Sequence, residues 1–531
     1  MIGSKIFKFF MAAMLLAPML GAAEDDVRVA MTRSGPVRGS EEAGIYVFKG
    51  IAYGANTAGA NRFRPPQPPT PWTDARDATR FGDRCPQIKA PGTPAWNSWA
   101  EPTRSSENCL VLNVWTPGMR DRARRPVMVW LHGGGFSVSS GASPVFDGAH
   151  LARRGDVVVV TLNHRLNVFG YLYLANLGAP QYADSGNIGQ LDIIAALHWV
   201  HDNIEEFGGD PDSVMIFGES GGGGKVGTLL AMPQAQGLFQ RAAMQSGFAV
   251  TAITPEAATK ATAALLSALH LKPGEVGRLA QLPVDTILNA LQEQTHGMPF
   301  GFGPVVDGRS LSRHPFTPDA PAFSANVPLL VGSNKDETTV LFPPPGVFDL
   351  DWPGLESALR PTLFKGADAS TLIAAFRKLR PRATPSDLYF TVTTERTMGA
   401  NAVTVAERKA ALQRAPVYLY RLEWQTPVEG GKLRSPHSLD VPLVFDNVAK
   451  SASLIGAGAA EAQRVADTMS AAWLAFAHNG SPNAPGLPSW PPYDPERRAT
   501  MVFNVQSRAI DDPLYQERKL LAPFAAVPAS P

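Results

Sequence analysis

The chain has 531 residues, 44% of them hydrophobic and 18% charged, with a formal net charge of +1. That length allows one large core or two or three smaller ones, and the apolar share is ordinary for a globular protein. A near-neutral balance supplies no long-range field, which argues against nucleic acid or an anionic membrane as a partner.

The N-terminus reads as an address. Lys5 and Lys8 give a positive start, residues 9–20 form an apolar run, and Gly21-Ala22-Ala23 offers small residues before Glu24-Asp25-Asp26. This is the pattern of a secretory signal cut after Ala23. The run is short for a membrane-crossing helix, which needs about 20 apolar residues. Residues 1–23 are therefore expected to be removed, leaving 24–531 as a single soluble domain, secreted or periplasmic, with no membrane span. Cys85 and Cys109 are the whole cysteine complement, and in an exported protein such a pair is expected to be bridged. No histidine is close in sequence to either one, so no zinc site is expected there.

Further along, residues 126–131, 157–161, 214–217, 242–244 and 327–331 are nearly continuous apolar runs. Such runs suit strands buried on both faces. Between them, residues 191–207 place Leu191, Ile194, Ala195, Leu197, Val200 and Ile204 at mostly helical spacing. Residues 257–295 are rich in Ala and Leu with helical periodicity, whereas 62–72 and 343–353 read as surface excursions. The alternation predicts an α/β fold: a mostly parallel central sheet flanked by helices, with helical insertions walling a pocket.

Gly218-Glu219-Ser220-Gly221-Gly222 directly follows the run 214–217. A buried strand, a tight glycine-flanked turn and a following helix are the context in which G-x-S-x-G exposes a nucleophilic serine at a sheet edge. His132-Gly133-Gly134-Gly135-Phe136 follows the run 126–131. Acyl transfer passes through an oxyanion, and successive glycines let backbone amides reach it unobstructed. The amides of Gly134, Gly135 and Gly221 are the expected oxyanion hole. Either motif alone is a common turn, but together, in this order and at strand ends, they point to the α/β-hydrolase fold.

A serine hydroxyl needs a base, itself oriented by an acid, and in this fold the order is serine, acid, histidine. The run 327–331 leads into Asn334-Lys335-Asp336-Glu337, and only His437 and His478 lie beyond it. His478 ends a helical run, where a cation suits the helix terminus. His437 sits in a polar loop, the usual place for a catalytic side chain. Order alone thus favours His437 and leaves Asp336 and Glu337 as alternatives.

From about Ser34 to Phe503 the chain resembles the type-B carboxylesterases, a family that includes bacterial para-nitrobenzyl-type esterases and the cholinesterases. The marks are Ser106-Glu107-Asn108-Cys109-Leu110, the HGGGF and GESGG segments, Asn187-Ile188-Gly189-Gln190-Leu191-Asp192, Phe207-Gly208-Gly209-Asp210-Pro211 and Asn334-Lys335-Asp336-Glu337. The resemblance implies that Glu337 is the acid and His437 the base, with Asp440 and an apolar strand at 441–445 after it. It also implies a Cys85–Cys109 bridge, ion pairs of Arg62 with Glu107 and of Arg165 with Asp192, and Ser246 near the triad.

The chain departs from the family where alanine usually follows the nucleophile. Here Gly221 opens a run of four glycines that ends at Lys225. A helical glycine costs about 1 kcal/mol relative to alanine, so the run implies close packing or a wider pocket. Asn108 replaces the usual aspartate. No match to the aromatic residues that hold choline is found.

The expected function is carboxylic ester hydrolysis by a Ser220–His437–Glu337 triad through an acyl-enzyme, with a small ester as substrate and no metal or organic cofactor. Activity should rise with pH around an apparent pKa of roughly 7. The competing readings are a catalytically inactive adhesion protein of the same fold and an interfacial lipase.

Overall fold

The computed structural model describes residues 28–89, 93–101, 103–177, 180–296, 298, 301–341, 343–363 and 368–524. The expected signal segment lies outside them. Each of the five apolar runs is a strand: Arg125–Leu131, Val158–Leu162, Gly209–Glu219, Arg241–Gln245 and Leu329–Asn334. They pair in parallel, and Val417–Leu422 and Ala499–Phe503 extend the parallel block. Antiparallel strands finish both sides of an 11-stranded sheet. Arg508–Asp511 borders Ala499–Phe503, while Val111–Thr116, Ile45–Ala52 and Ser40–Glu42 succeed Val158–Leu162.

The strand Arg125–Leu131 explains why the runs are continuous. Val127, Val129 and Leu131 face a core shared with Ile193, Leu197 and Val200 of the helix Ile188–Asn203. Met128 and Trp130 face the opposite core, with Met469, Trp473 and Phe476 of the helix Ala459–Asn479. Helices cover both faces, so side chains pointing either way from the middle of the strand are apolar. Each Val or Leu so buried contributes about 1.5–3 kcal/mol.

Two helical insertions build cores of their own. One, between Arg241–Gln245 and Leu329–Asn334, holds the helices Pro255–Ala268 and Val284–Thr295, which pack with Phe63, Phe169 and Phe302 while Phe136 lies at the border. The other, after Leu329–Asn334, gathers Trp352–Leu359, Ala369–Leu379 and Pro385–Thr394. Thr338 Oγ1 and Thr393 Oγ1, 2.7 Å apart, tie this second insertion to the segment that carries Glu337.

Cys85 and Cys109 are disulfide-bonded. Arg62 and Glu107 pair at 2.6 Å, and Arg165 and Asp192 at 2.5 Å, both in buried positions. Two expectations need correction. The apolar run at 441–445 is not a strand: Asp440–Val444 is a short, wholly buried helix, and a five-residue apolar run does not distinguish the two. Nor is 62–72 wholly a surface excursion, since Arg62 and Phe63 are buried; the glutamate at 107 neutralises the arginine that the run carries inward.

Candidate active site

The strand Gly209–Glu219 ends at Ser220, whose φ of 56° and ψ of −125° are forbidden to most side-chain-bearing residues, and the helix Gly221–Leu229 starts immediately after. Such strain costs of order 1–3 kcal/mol and persists only where the surroundings enforce it. Here they do. A Cβ on Gly222 would stand 2.0 Å from the carbonyl oxygen of Leu131, and one on Gly221 would stand 1.9 Å from that of Gly135. Close packing, rather than a wider pocket, accounts for the glycines at 221 and 222. Gly223 is equally confined, by the Gly247 carbonyl at 2.5 Å. Gly224 has more room, 3.3 Å from the Phe136 ring.

Gly134 and Gly135 adopt positive φ, 78° and 62°. Their amides donate to no acceptor among the described residues, and the Gly221 amide belongs to the first helical turn, whose N–H groups have no intrahelical acceptor. All three residues, together with Ser220, are partly open in a region where their neighbours are buried. The helix N-terminus adds a positive end of the backbone dipole. The three expected oxyanion donors are therefore free and lie against one another.

On the far side, His437 Nδ1 lies 2.5 Å from Glu337 Oε2, and Glu337 Oε1 accepts the Asn334 amide at 2.7 Å. Asp336, the other candidate acid, instead accepts the Ser435 amide through its carboxylate at 3.4 Å. His478, the other candidate base, is exposed and contacts the Gly155 carbonyl at 2.8 Å from the end of its helix. His437 Nε2 has no hydrogen-bond partner among the described residues. Its nearest carboxylate is that of Glu219, 3.1 Å away but out of hydrogen-bonding line. Ser220 follows Glu219 directly, and a Cβ on Gly133 would meet Glu219 Oε2 at 3.1 Å and Ser220 Cβ at 3.4 Å. The serine turn, the glycine loop and the imidazole thus converge, while the Ser220 hydroxyl and Nε2 are not hydrogen-bonded to each other. Such contacts are often loose before substrate binds.

Motif reading missed part of the site. Burial pushes the Glu219 carboxyl up to about 8, against the pull of His437. Burial also works to lower the His437 pKa, but the facing Glu219 and Glu337 outweigh it and raise it to about 9. Both shifts run upward, so a proton stays within the pair until the solution is alkaline. Asp440 is buried behind them, accepting from Gln245 at 2.9 Å and from the Tyr420 hydroxyl at 2.8 Å. Lys225 is also buried, as are the stacked rings of His132 and His164, 4.9 Å apart. Glu219 was legible as an acid flanking the nucleophile. Lys225 stood out as the charge at the end of the glycine run, but its direction was not readable. Ser246 is buried with its hydroxyl unpartnered. Among the described residues no cluster of His, Cys, Asp and Glu could hold a metal.

Comparison with known proteins adds the following. The model of the carboxylesterase family matches residues 26–349 and 367–520. The para-nitrobenzyl esterase of Bacillus subtilis is 36% identical over 505 residues, covering 93% of this chain and 99% of that protein. Pig (Sus scrofa) liver carboxylesterase is 32% identical, covering 85% of this chain and 84% of its own length. The crystal structure of a Geobacillus stearothermophilus carboxylesterase superposes with a TM-score of 0.82 at 38% identity, over 93% of this chain and 99% of that one.

Proposed function

Because the chain belongs to the carboxylesterase family and is a serine-dependent carboxylic ester hydrolase, we propose that it works through a Ser220–His437–Glu337 triad and an acyl-enzyme. His437 Nε2 takes the Ser220 proton as Oγ bonds to the ester carbonyl carbon. The amides of Gly134, Gly135 and Gly221 hold the resulting oxyanion. His437 then returns the proton to the alcohol oxygen as the C–O bond breaks. Water, deprotonated by the same imidazole, releases the acid and restores the serine. Glu337 fixes the imidazole with its proton on Nδ1 and stabilises the imidazolium.

The observation that carries this reading is the 2.5 Å contact between His437 Nδ1 and Glu337 Oε2. It leaves Nε2 as the free nitrogen beside the turn that bears Ser220. An inactive adhesion protein would have no need of that alignment.

The test is a panel of short- and long-chain acyl esters assayed with the wild type and Ser220→Ala. Loss of an oxyanion donor alone costs about 100- to 1,000-fold, and loss of the nucleophile should cost more, on every ester. Retained hydrolysis in a folded Ser220→Ala protein would refute the assignment. A preference for aggregated long-chain esters would favour the lipase reading over that of an esterase for dissolved small esters. We further propose that the mature form is a single exported domain, 24–531. N-terminal sequencing of the protein recovered outside the cytoplasm should begin at Glu24.

A further inference from the structure

Lys225 carries a feature that the ester mechanism has not used. It lies one turn into the helix that Ser220 opens, is fully buried, and has no carboxylate within ion-pair distance among the described residues. A buried ammonium without a partner ion is costly unless its protons are taken up in hydrogen bonds, and burial favours the neutral amine, which still donates. Its Nζ donates to the carbonyl of His132 at 2.7 Å and, at a longer 3.5 Å, to that of Gly133. The remaining contact is with the face of Phe136, 5.6 Å away. Every one of these partners belongs to the HGGGF loop.

The Gly133 carbonyl is gripped from a second side. His132 Nδ1 lies 3.0 Å from it, and because a carbonyl only accepts, that nitrogen must carry the proton. In a trans peptide the carbonyl and the following N–H point in opposite directions. Drawing the Gly133 oxygen inward therefore turns the Gly134 N–H outward, where an oxyanion would sit. Hydrogen bonding to a carbonyl also polarises the amide of the same peptide.

We propose that Lys225 is a positioning residue of the oxyanion hole, its buried amino group donating to the His132 and Gly133 carbonyls so that the Gly134 amide faces the reacting carbonyl. Burial lowers its pKa to about 7, against the opposing pull of Glu219. Lys225 in turn adds to the burial that keeps His132 and His164 neutral.

This inference rests on the proposed oxyanion hole and is tested beside Ser220→Ala, so that the two can fail separately. Lys225→Met removes the donor and the charge, and Lys225→Gln keeps a donor without charge. Both are compared with wild type on para-nitrophenyl acetate and on a trifluoromethyl ketone, which captures the serine as an oxyanion adduct. For folded Lys225→Met, kcat should fall about 10- to 100-fold with KM nearly unchanged. Ketone affinity should weaken by the same factor, with Lys225→Gln intermediate. An unchanged kcat, or a change confined to KM, overturns the proposal. So does failure of both variants to fold, which would make Lys225 a purely structural residue. If Ser220→Ala remains active, the nucleophile itself is wrong; if it is inactive while Lys225→Met keeps its kcat, only the role of Lys225 falls.

Discussion

A methyl group on Gly221 would stand 1.9 Å from the Gly135 oxygen and 2.5 Å from its Cα, so that the loop would have to retreat by about 1 Å or more. Displacement on that scale can cost about 100-fold in rate. Gly221→Ala should therefore lower kcat by roughly that factor with KM nearly unchanged, and destabilise the fold by about 1–3 kcal/mol; a fully active Gly221→Ala would show that the loop has slack. Glu219 governs a different property. The neutral imidazole is the base, so raising the His437 pKa to about 9 moves the rise in kcat/KM up in pH, above the value near 7 expected from sequence. In Glu219→Gln the nearby negative charge is gone, the imidazolium is less favoured, and the limb should shift down by about one pH unit. An unmoved or upward-moving limb in a pH–rate profile would contradict this. Of these roles the sequence carried Ser220 and the glycines openly, because their backbone demands are local. On chain order alone Asp336 and Glu337 stayed alternatives, and only the family resemblance chose Glu337, because neighbouring positions at a strand end differ only in direction, and direction is set by tertiary packing.

At the scale of elements, the parallel strands were legible because burial on both faces leaves continuous apolar runs. The outer strands were not: Ser40–Glu42 is part exposed along its whole length, and Arg508–Asp511 likewise has no buried residue. With no core face, such strands have no pattern to read. The buried helix Asp440–Val444 failed for the opposite reason, being apolar on all sides save Asp440. The disulfide acts at this scale too. Cys85 and Cys109 are 24 residues apart, and closing an interval of that size stabilises by about 3 kcal/mol on the chain-entropy model. Replacing both by serine should move the urea midpoint down accordingly and leave kcat in place. An unchanged midpoint would mean that the unfolded chain gains little from its release.

Across the whole molecule, parallel strands bring their C-terminal ends to one edge, and the chemistry collects there. Ser220 follows Gly209–Glu219, the glycine loop follows Arg125–Leu131, Glu337 follows Leu329–Asn334, and His437 comes after Val417–Leu422. Glu337 and His437 meet from 100 residues apart. The parallel pairing of the central strands was foreseeable from the α/β pattern, whereas their order in the sheet was not. How the site's buried charges face one another was not foreseeable either, because Asp440 and His437 reach Glu219 from more than 200 residues downstream, and which way Lys225 points is set by tertiary packing.

The central claim, a covalent acyl group on Ser220, is open to direct capture. The enzyme is mixed with excess para-nitrophenyl ester, quenched in acid within milliseconds, and digested for peptide mass mapping. The account predicts a single acyl group per chain, on the peptide containing Ser220, formed as fast as the nitrophenol burst. Steady turnover with no acylated peptide, or an acyl group on Ser246, would contradict it.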